Sequence, residues 1–323
     1  MKNNILNNFP KVNLSILPTP LMKLEHISKK YNANIYCKRD DLTGFAFGGN
    51  KTRKLDYLIA DAINKKADTL IGVGAVQSNF CRMAAGAGIV NGLEVHLVLG
   101  GVKPDKSSAN LLIDEMFDAK IHYVESTKWD DWENYGKNLE KELTASGKKV
   151  YYMPIGGSSA IGALGYVDAF YEILYDCGKY KINFDYIVHS STSAGTQTGL
   201  IIGKKLTGWK GKIIGIGSAK NQEQLSEEIY KLANETGNFF NINIKYDDII
   251  IDDKYIGEDY GVVTEKGKEA VELFARLEGI FLDYVYSGKA ASGLIDYMEK
   301  NKFEKDSNIL FIHTGGNVHL FKI

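Results

Sequence analysis

Residues 47–55, FGGNKTRKL, set Lys51, Arg53 and Lys54 directly behind two glycines and an asparagine, where a helical pattern begins. Peptide dipoles already place partial positive charge at a helix start, so cations there are locally unfavourable. Three readings stand: a basic helix start facing water, a cluster facing an anion, or an amine that acts as a nucleophile. Residues 73–80, VGAVQSNF, supply Ser78, a helix-capping residue type, and Asn79, whose amide both donates and accepts. Residues 190–199, SSTSAGTQTG, carry Ser190, Ser191, Thr192, Ser193, Thr196 and Thr198 around Gly195 and Gly199. Glycines let the backbone fold tightly, so N–H groups and hydroxyls there make a cradle for an anion. Residues 311–319, FIHTGGNVH, set Thr314 before two further glycines.

Exclusion narrows the chemistry that unites these stretches. The hydroxyl-rich stretch lacks the GK[ST] ending of a nucleotide P-loop, and GIGSAK (215–220) lacks the third glycine of a dinucleotide fingerprint. No histidine lies in HExxH, no His, Cys, Asp and Glu cluster has metal spacing, and Ser78 is not in GxSxG. What remains is a phosphate cradle, a candidate amine and several neutral hydrogen-bonding groups. A phosphate-bearing cofactor held through a lysine Schiff base, pyridoxal 5'-phosphate, accounts for all four stretches.

The elements that must position these groups alternate. Apolar, β-rich runs at 34–39, 69–74, 94–99, 120–124, 149–153, 186–191, 212–217 and 308–314 predict strands. Leu55, Leu58, Ile59, Ala62 and Ile63 recur on one helical face, and similar patterns cover 79–90, 110–118, 129–146, 161–177, 199–206, 222–236 and 264–277. Strand–helix alternation predicts an α/β fold of mostly parallel sheets with helices on both faces and ligands at the strands' carboxyl ends. The chain of 323 residues suits one large or two medium domains, and a net charge of −1 gives no field favouring nucleic acid or an anionic membrane. The N-terminal stretch has no secretory apolar core, no run is long enough to span a membrane, and Cys37, Cys81 and Cys177 form no disulfide framework. A cytoplasmic location is the expectation.

In this order along the chain, GGNKTRKL, GAVQSN, SAGTQTG, VYSGK and HTGG resemble the D-cysteine desulfhydrase and 1-aminocyclopropane-1-carboxylate (ACC) deaminase family of pyridoxal-phosphate enzymes, whose fold is tryptophan-synthase-β-like (fold type II). LPTPL (17–21) and KRDDLTG (38–44) match as well. The resemblance implies that Lys51 carries the cofactor and shuttles the substrate's Cα proton. Lys54, with the amides and hydroxyls of Ser193, Ala194, Gly195, Thr196, Gln197 and Thr198, would hold phosphate. Asn79 would bond the cofactor's ring oxygen, and Ser78 would grip the substrate near its carboxylate or amino group. Tyr286 would lie at the reacting carbon, and Tyr260, in GEDYG, would be a second active-site tyrosine. Arg53 receives no role and is expected to face water. The implied architecture has a larger cofactor-binding domain, 1–50 and 163–323, and a smaller inserted domain, 51–162, able to close over an amino-acid substrate. A homodimer is the implied assembly.

Two positions bear on the reaction. The ring-opening deaminases of this family typically carry glutamate where this chain has Ser287 and leucine where it has Thr314, whereas the desulfhydrases carry hydroxyl residues at both. A carboxylate keeps the cofactor's ring nitrogen protonated and strengthens the electron sink; a hydroxyl does not impose that proton. Expelling a thiolate needs less activation than opening a cyclopropane. The resemblance therefore implies β-elimination of D-cysteine to pyruvate, hydrogen sulfide and ammonia, with ACC deamination, or elimination from cysteate or another β-substituted amino acid, as alternatives. A catalytically silent pyridoxal-phosphate-binding protein is a further reading. Phe80, Tyr284, Asn317 and His319 depart from the family pattern; Phe80 is expected to remove a carboxylate contact and change substrate size, and Asn317 and His319 to sit near the cofactor.

Overall fold

The computed structural model describes residues 4–322. Its strands are β1 (Leu21–Lys23), β2 (Asn34–Lys38), β3 (Thr69–Ala75), β4 (Glu94–Gly100), β5 (Lys120–Val124), β6 (Val150–Met153), β7 (Tyr186–Ser191), β8 (Lys212–Gly217), β9 (Ile250–Asp252) and β10 (Asn308–Ile312). Its helices are α1 (Glu25–Tyr31), α2 (Asn50–Asn64), α3 (Asn79–Val90), α4 (Ala109–Met116), α5 (Trp129–Ala145), α6 (Ala160–Tyr180), α7 (Gly195–Thr207), α8 (Gln222–Gly237), α9 (Glu265–Glu278) and α10 (Ser287–Glu299). One sheet has strand order β5-β4-β3-β6 and is wholly parallel. The other has order β1-β2-β10-β7-β8-β9 and is parallel except where β1 pairs antiparallel with β2.

Both sheets are covered on both faces, which is why their strands read as continuous apolar runs. In the six-stranded sheet, Ile187, Ile213 and Leu310 pack under α6, α7 and α8 through Leu164, Phe170, Ile201 and Ile229. Its opposite face, with Val188, Ile214 and Phe311, meets α1, α9 and α10 through Ile27, Phe274 and Leu294. In the four-stranded sheet, Leu70, Leu97 and Met153 meet α2 and α3 on one face, and Ile71, Val73 and Val98 meet α5 through Trp132 and Leu139 on the other.

The predicted strands appear at their sites, and the structure adds β1, β9, α1 and α10. Three-residue strands carry too little pattern to read. Helix α10, SGKAASGLIDYME, has poor helix formers at both glycines, but its packing needs them: a Cβ at Gly293 would lie 2.9 Å from Ile216. The second difference concerns residues 195–198. They are not a loop before a helix but the first turn of α7, which starts four residues earlier than its apolar pattern suggests.

Arg53 does not face water. Its side chain is 2% exposed and bonds both oxygens of Asp40, at 2.8 and 2.9 Å, and both oxygens of Glu172 on α6, at 2.9 and 3.1 Å. Lys38 joins the network through Glu172 at 2.7 Å and Asp176 at 2.6 Å. One side of α2 therefore faces carboxylates of the larger sheet's layer, which no local pattern announces. Burial would lift the Glu172 carboxyl, but Arg53 and Lys38 outweigh it and bring it down to about 2. A depressed carboxylate lends stability above its unfolded pKa of about 4.3 and loses it as pH falls through the folded value. Arg53→Met leaves Asp40 without its cation and Glu172 with Lys38 alone. It is expected to cost about 3–5 kcal/mol in urea denaturation at neutral pH and to move acid unfolding to higher pH. Unchanged curves would refute the network's contribution.

Candidate active site

Residues 47–55 pass the carboxyl end of β10 as they enter α2. Gly48 and Gly49 have φ of +69° and +129°, and a Cβ on Gly49 would lie 2.7 Å from Met83 and 3.2 Å from the Thr314 carbonyl. Only glycine passes through this gap without strain. The Asn50 amide then bonds the Thr314 carbonyl at 2.9 Å, tying the start of α2 to the carboxyl end of β10.

Lys51 follows and lines a pocket between the two sheets, at the carboxyl ends of β3, β7 and β10. Burial lowers its amine to about 8, with Asp283 opposing the shift. Its Nζ donates to Asn50 Oδ1 at 3.3 Å, and Asn50 Nδ2 donates to Thr196 Oγ1 at 3.0 Å, joining the lysine to the first turn of α7.

Lys54, one turn further along α2, is fully buried. Its Nζ donates to the Gly156 carbonyl at 3.2 Å, and among the described residues no carboxylate pairs with it. Burial and the neighbouring Lys51 push its amine well below the ordinary range. A buried cation left in this way is costly unless an anion joins it. The place for one is adjacent: a Cβ on Gly195 would lie 2.8 Å from Lys54 Nζ and 3.2 Å from Ser158 Oγ. Ala194 enters the turn with a left-handed φ of +62°, which presents the α7 N-terminus to the pocket. Ser193, Ala194 and Thr196 line the pocket; Gln197 and Thr198 do not. The Gln197 side chain turns away and donates to the Ile250 carbonyl at 2.9 Å, and Thr198 Oγ1 is buried without a partner. The Thr198 amide already donates to the Ala194 carbonyl at 3.0 Å, so of these two only the Gln197 amide, at the start of the helix, is left to offer the pocket.

The N-terminus of α3 forms the opposite wall. Ser78 caps it, its Oγ accepting from the Cys81 amide at 3.2 Å and keeping its own proton to donate. The amides of Asn79 and Phe80, first in the helix, have no carbonyl four residues behind them within the helix. The Phe80 ring points the other way, into the core beside Gly72 and Gly157, with 1% exposure. Phe80 also counts among the residues that line the pocket.

Tyr286 and Tyr260 close the far side, their hydroxyls bonded to each other. Burial raises Tyr260 to about 12 and lifts Tyr286 further, so both are neutral phenols at physiological pH. Ser287 does not line the pocket; it lies under it at the start of α10. Its Oγ donates to Asp283 Oδ1 at 2.6 Å, and Asp283 also accepts from the amides of Val285, Tyr286 and Ser287, each at 2.8 Å. Thr314 lines the pocket. His319 lines a neighbouring cavity behind Tyr260 and Tyr286, and burial lowers its imidazole pKa against the opposing pull of Asp283. Asn317 Oδ1 is buried without a partner, and Tyr284 packs against the core under α1, α9 and α10.

Sequence reasoning missed Asn50, Asp283, Ser158, Trp129 and Trp132. Asn50 and Asp283 sit beside motif residues and could have been suspected. Trp129 could not, because only the fold brings it against Tyr260, with ring centroids 5.6 Å apart. Among the described residues no group of three or more His, Cys, Asp or Glu could hold a metal, and no helix is long and apolar enough to cross a membrane.

The chain matches the family described as pyridoxal-phosphate dependent enzyme over residues 12–315, and it belongs to that family. Its cofactor is pyridoxal phosphate, and the unpaired Lys54 beside an open helix N-terminus fits the phosphate group. It is 40% identical over 314 residues to a Pyrococcus furiosus protein named "Putative 1-aminocyclopropane-1-carboxylate deaminase", covering 97% of this chain and 94% of that one. It is 37% identical over 324 residues to the D-cysteine desulfhydrase of Klebsiella pneumoniae (strain 342), covering 98% and 97%. A solved ACC deaminase homologue superposes with a TM-score of 0.91 at 35% identity, covering 98% of this chain and 95% of that one.

Proposed function

We propose that this enzyme eliminates the β-substituent of D-cysteine, releasing hydrogen sulfide, pyruvate and ammonia, and that Lys51 is its covalent cofactor ligand and base. One observation carries the choice over ACC deamination. Asp283, which bonds Ser287, is already satisfied by three amides and the Ser287 hydroxyl, so among the described residues no free carboxylate lines that end of the pocket. Bound there, the cofactor supplies an electron sink for the carbanion at Cα. Without a carboxylate to protonate its ring nitrogen the sink is weaker, which suits a good leaving group such as thiolate.

The chain's own groups divide the remaining work. Lys54, Ser193 and Thr196, with the α7 amides, hold phosphate. Asn79 donates to the ring oxygen. Ser78 Oγ and the α3 amides orient the substrate carboxylate. Lys51 Nζ, lowered to about 8, is a base matched to neutral or mildly alkaline pH. Tyr286 and Tyr260, both neutral, serve as proton donors toward the departing sulfur rather than as bases. In this reading residues 51–162 move as the smaller unit against 1–50 and 163–323 and shut water out, and the working form is a homodimer.

The test is product analysis with D-cysteine, L-cysteine and ACC. Equal amounts of sulfide and pyruvate from D-cysteine are the expected result. 2-Oxobutanoate from ACC without sulfide would overturn the reading of Ser287 and Thr314, and no product from any of the three would exclude D-cysteine as substrate.

A further inference from the structure

Arg82 is fully buried, yet among the described residues it forms no ion pair. Burial lowers its pKa to about 10 against the pull of Asp114, so it stays charged at neutral pH. Asp114 is the nearby carboxyl, but neither of its oxygens bonds anything, and burial lifts it well above the carboxylate range. Its two terminal nitrogens bond neutral oxygens instead, and its Nε is buried without a partner. Nη2 donates to the Gly48 carbonyl at 3.1 Å; Nη1 donates to Asn79 Oδ1 at 3.0 Å and also to Asn110 Oδ1.

These contacts decide which way an amide points. The oxygen and nitrogen of an asparagine differ little in shape, so its orientation is set by its neighbours. Turned over, Asn79 would set its NH2 against the guanidinium, donor against donor. Asn110 agrees with this sense: its Nδ2 donates to Asn79 Oδ1 at 3.1 Å and to the Gln77 carbonyl at 2.8 Å, while its own oxygen faces Arg82. The Gln77 side chain agrees too, accepting from the Asn110 amide at 3.0 Å and donating to the Ser108 carbonyl at 3.1 Å. With Asn79 Oδ1 held by two donors, Asn79 Nδ2 is the end left for the pocket that Asn79 lines.

We infer that Arg82 is a positioning residue, fixing the Asn79 amide so that it presents only hydrogen-bond donors to the ring oxygen of the cofactor. The inference rests on the proposed contact between Asn79 and that oxygen. A donor there stabilises the deprotonated oxygen, so its loss raises the pH at which the visible absorption band of the bound cofactor converts. Arg82 acts on the band only through Asn79, and its removal has no effect where Asn79 is already gone.

The experiment is a pH titration of that band in wild type, Asn79→Ala, Arg82→Met and the double variant. A charge-assisted hydrogen bond of ordinary strength corresponds to an upward shift of about one to two pH units. The expected result is an upward shift in both single variants and no further shift in the double. A shift in Asn79→Ala with none in Arg82→Met overturns the inference while leaving the Asn79 contact intact. No shift in Asn79→Ala overturns the contact and the inference with it. A further shift from Arg82→Met in the Asn79→Ala background would show that Arg82 acts by another route. Should Arg82→Met fail to fold, Arg82→Gln, shorter and uncharged, decides: an upward shift toward that of Asn79→Ala supports the inference, and no shift overturns it.

Discussion

Lys51→Ala is expected to lower sulfide release from D-cysteine by at least about a thousand-fold, with the variant folded. A positioned base alone contributes about 10²–10⁴-fold, and the variant also loses the cofactor's covalent attachment. Nothing nearby replaces it. Lys54 is committed to the turn at Gly195, and burial keeps Tyr260 and Tyr286 protonated. A pH effect accompanies the loss. Because burial lowers the Lys51 amine to about 8, the fraction able to attack the cofactor's aldehyde grows as pH rises toward that value and levels above it. Stopped-flow absorbance should show covalent loading of the wild-type apoprotein accelerating over that range, and no such limb in Lys51→Ala. Turnover above a tenth of wild type in the variant would remove Lys51 from both roles.

Lys54→Met should move two measurements in opposite directions. The apoprotein should gain about 1 kcal/mol or more of stability, because a buried amine with no carboxylate partner gives way to an apolar chain of similar length. Affinity for pyridoxal phosphate should fall about 10–100-fold, the worth of a charge-assisted hydrogen bond to phosphate. The control is pyridoxal, which lacks phosphate: wild type and variant should bind it about equally. Equal weakening for both ligands would mean that Lys54 does not hold the phosphate, and a less stable apoprotein would mean that its contact with Gly156 outweighs its burial cost.

Much of the fold was legible in the sequence because parallel strands buried on both faces must be apolar throughout, and the helices between them must be apolar on one face. The family was legible because the pocket lies where chain segments reverse at strand ends, and there short local motifs carry glycines, hydroxyls and a lysine in fixed order. Elements whose identity depends on neighbours were not. Helix α10 has the composition of a loop and exists because its glycines fit against β8 and α9.

The side chains followed the same division. The types of Lys51, Lys54, Ser78 and Asn79 were enough to suggest an amine, a cation, a cap and an amide. Which way each would face was decided by tertiary packing. Two lysines and an arginine stand within four residues of one helix, and their local sequence treats them alike. The fold sends Arg53 to the carboxylates of Asp40 and Glu172, Lys54 to the turn at Gly195, and Lys51 to the pocket. Helical rotation of 100° per residue points them in different directions. Glu172 and Gly156, each more than a hundred residues away in sequence, are partners of Arg53 and Lys54, and contacts across that distance leave no local pattern to read.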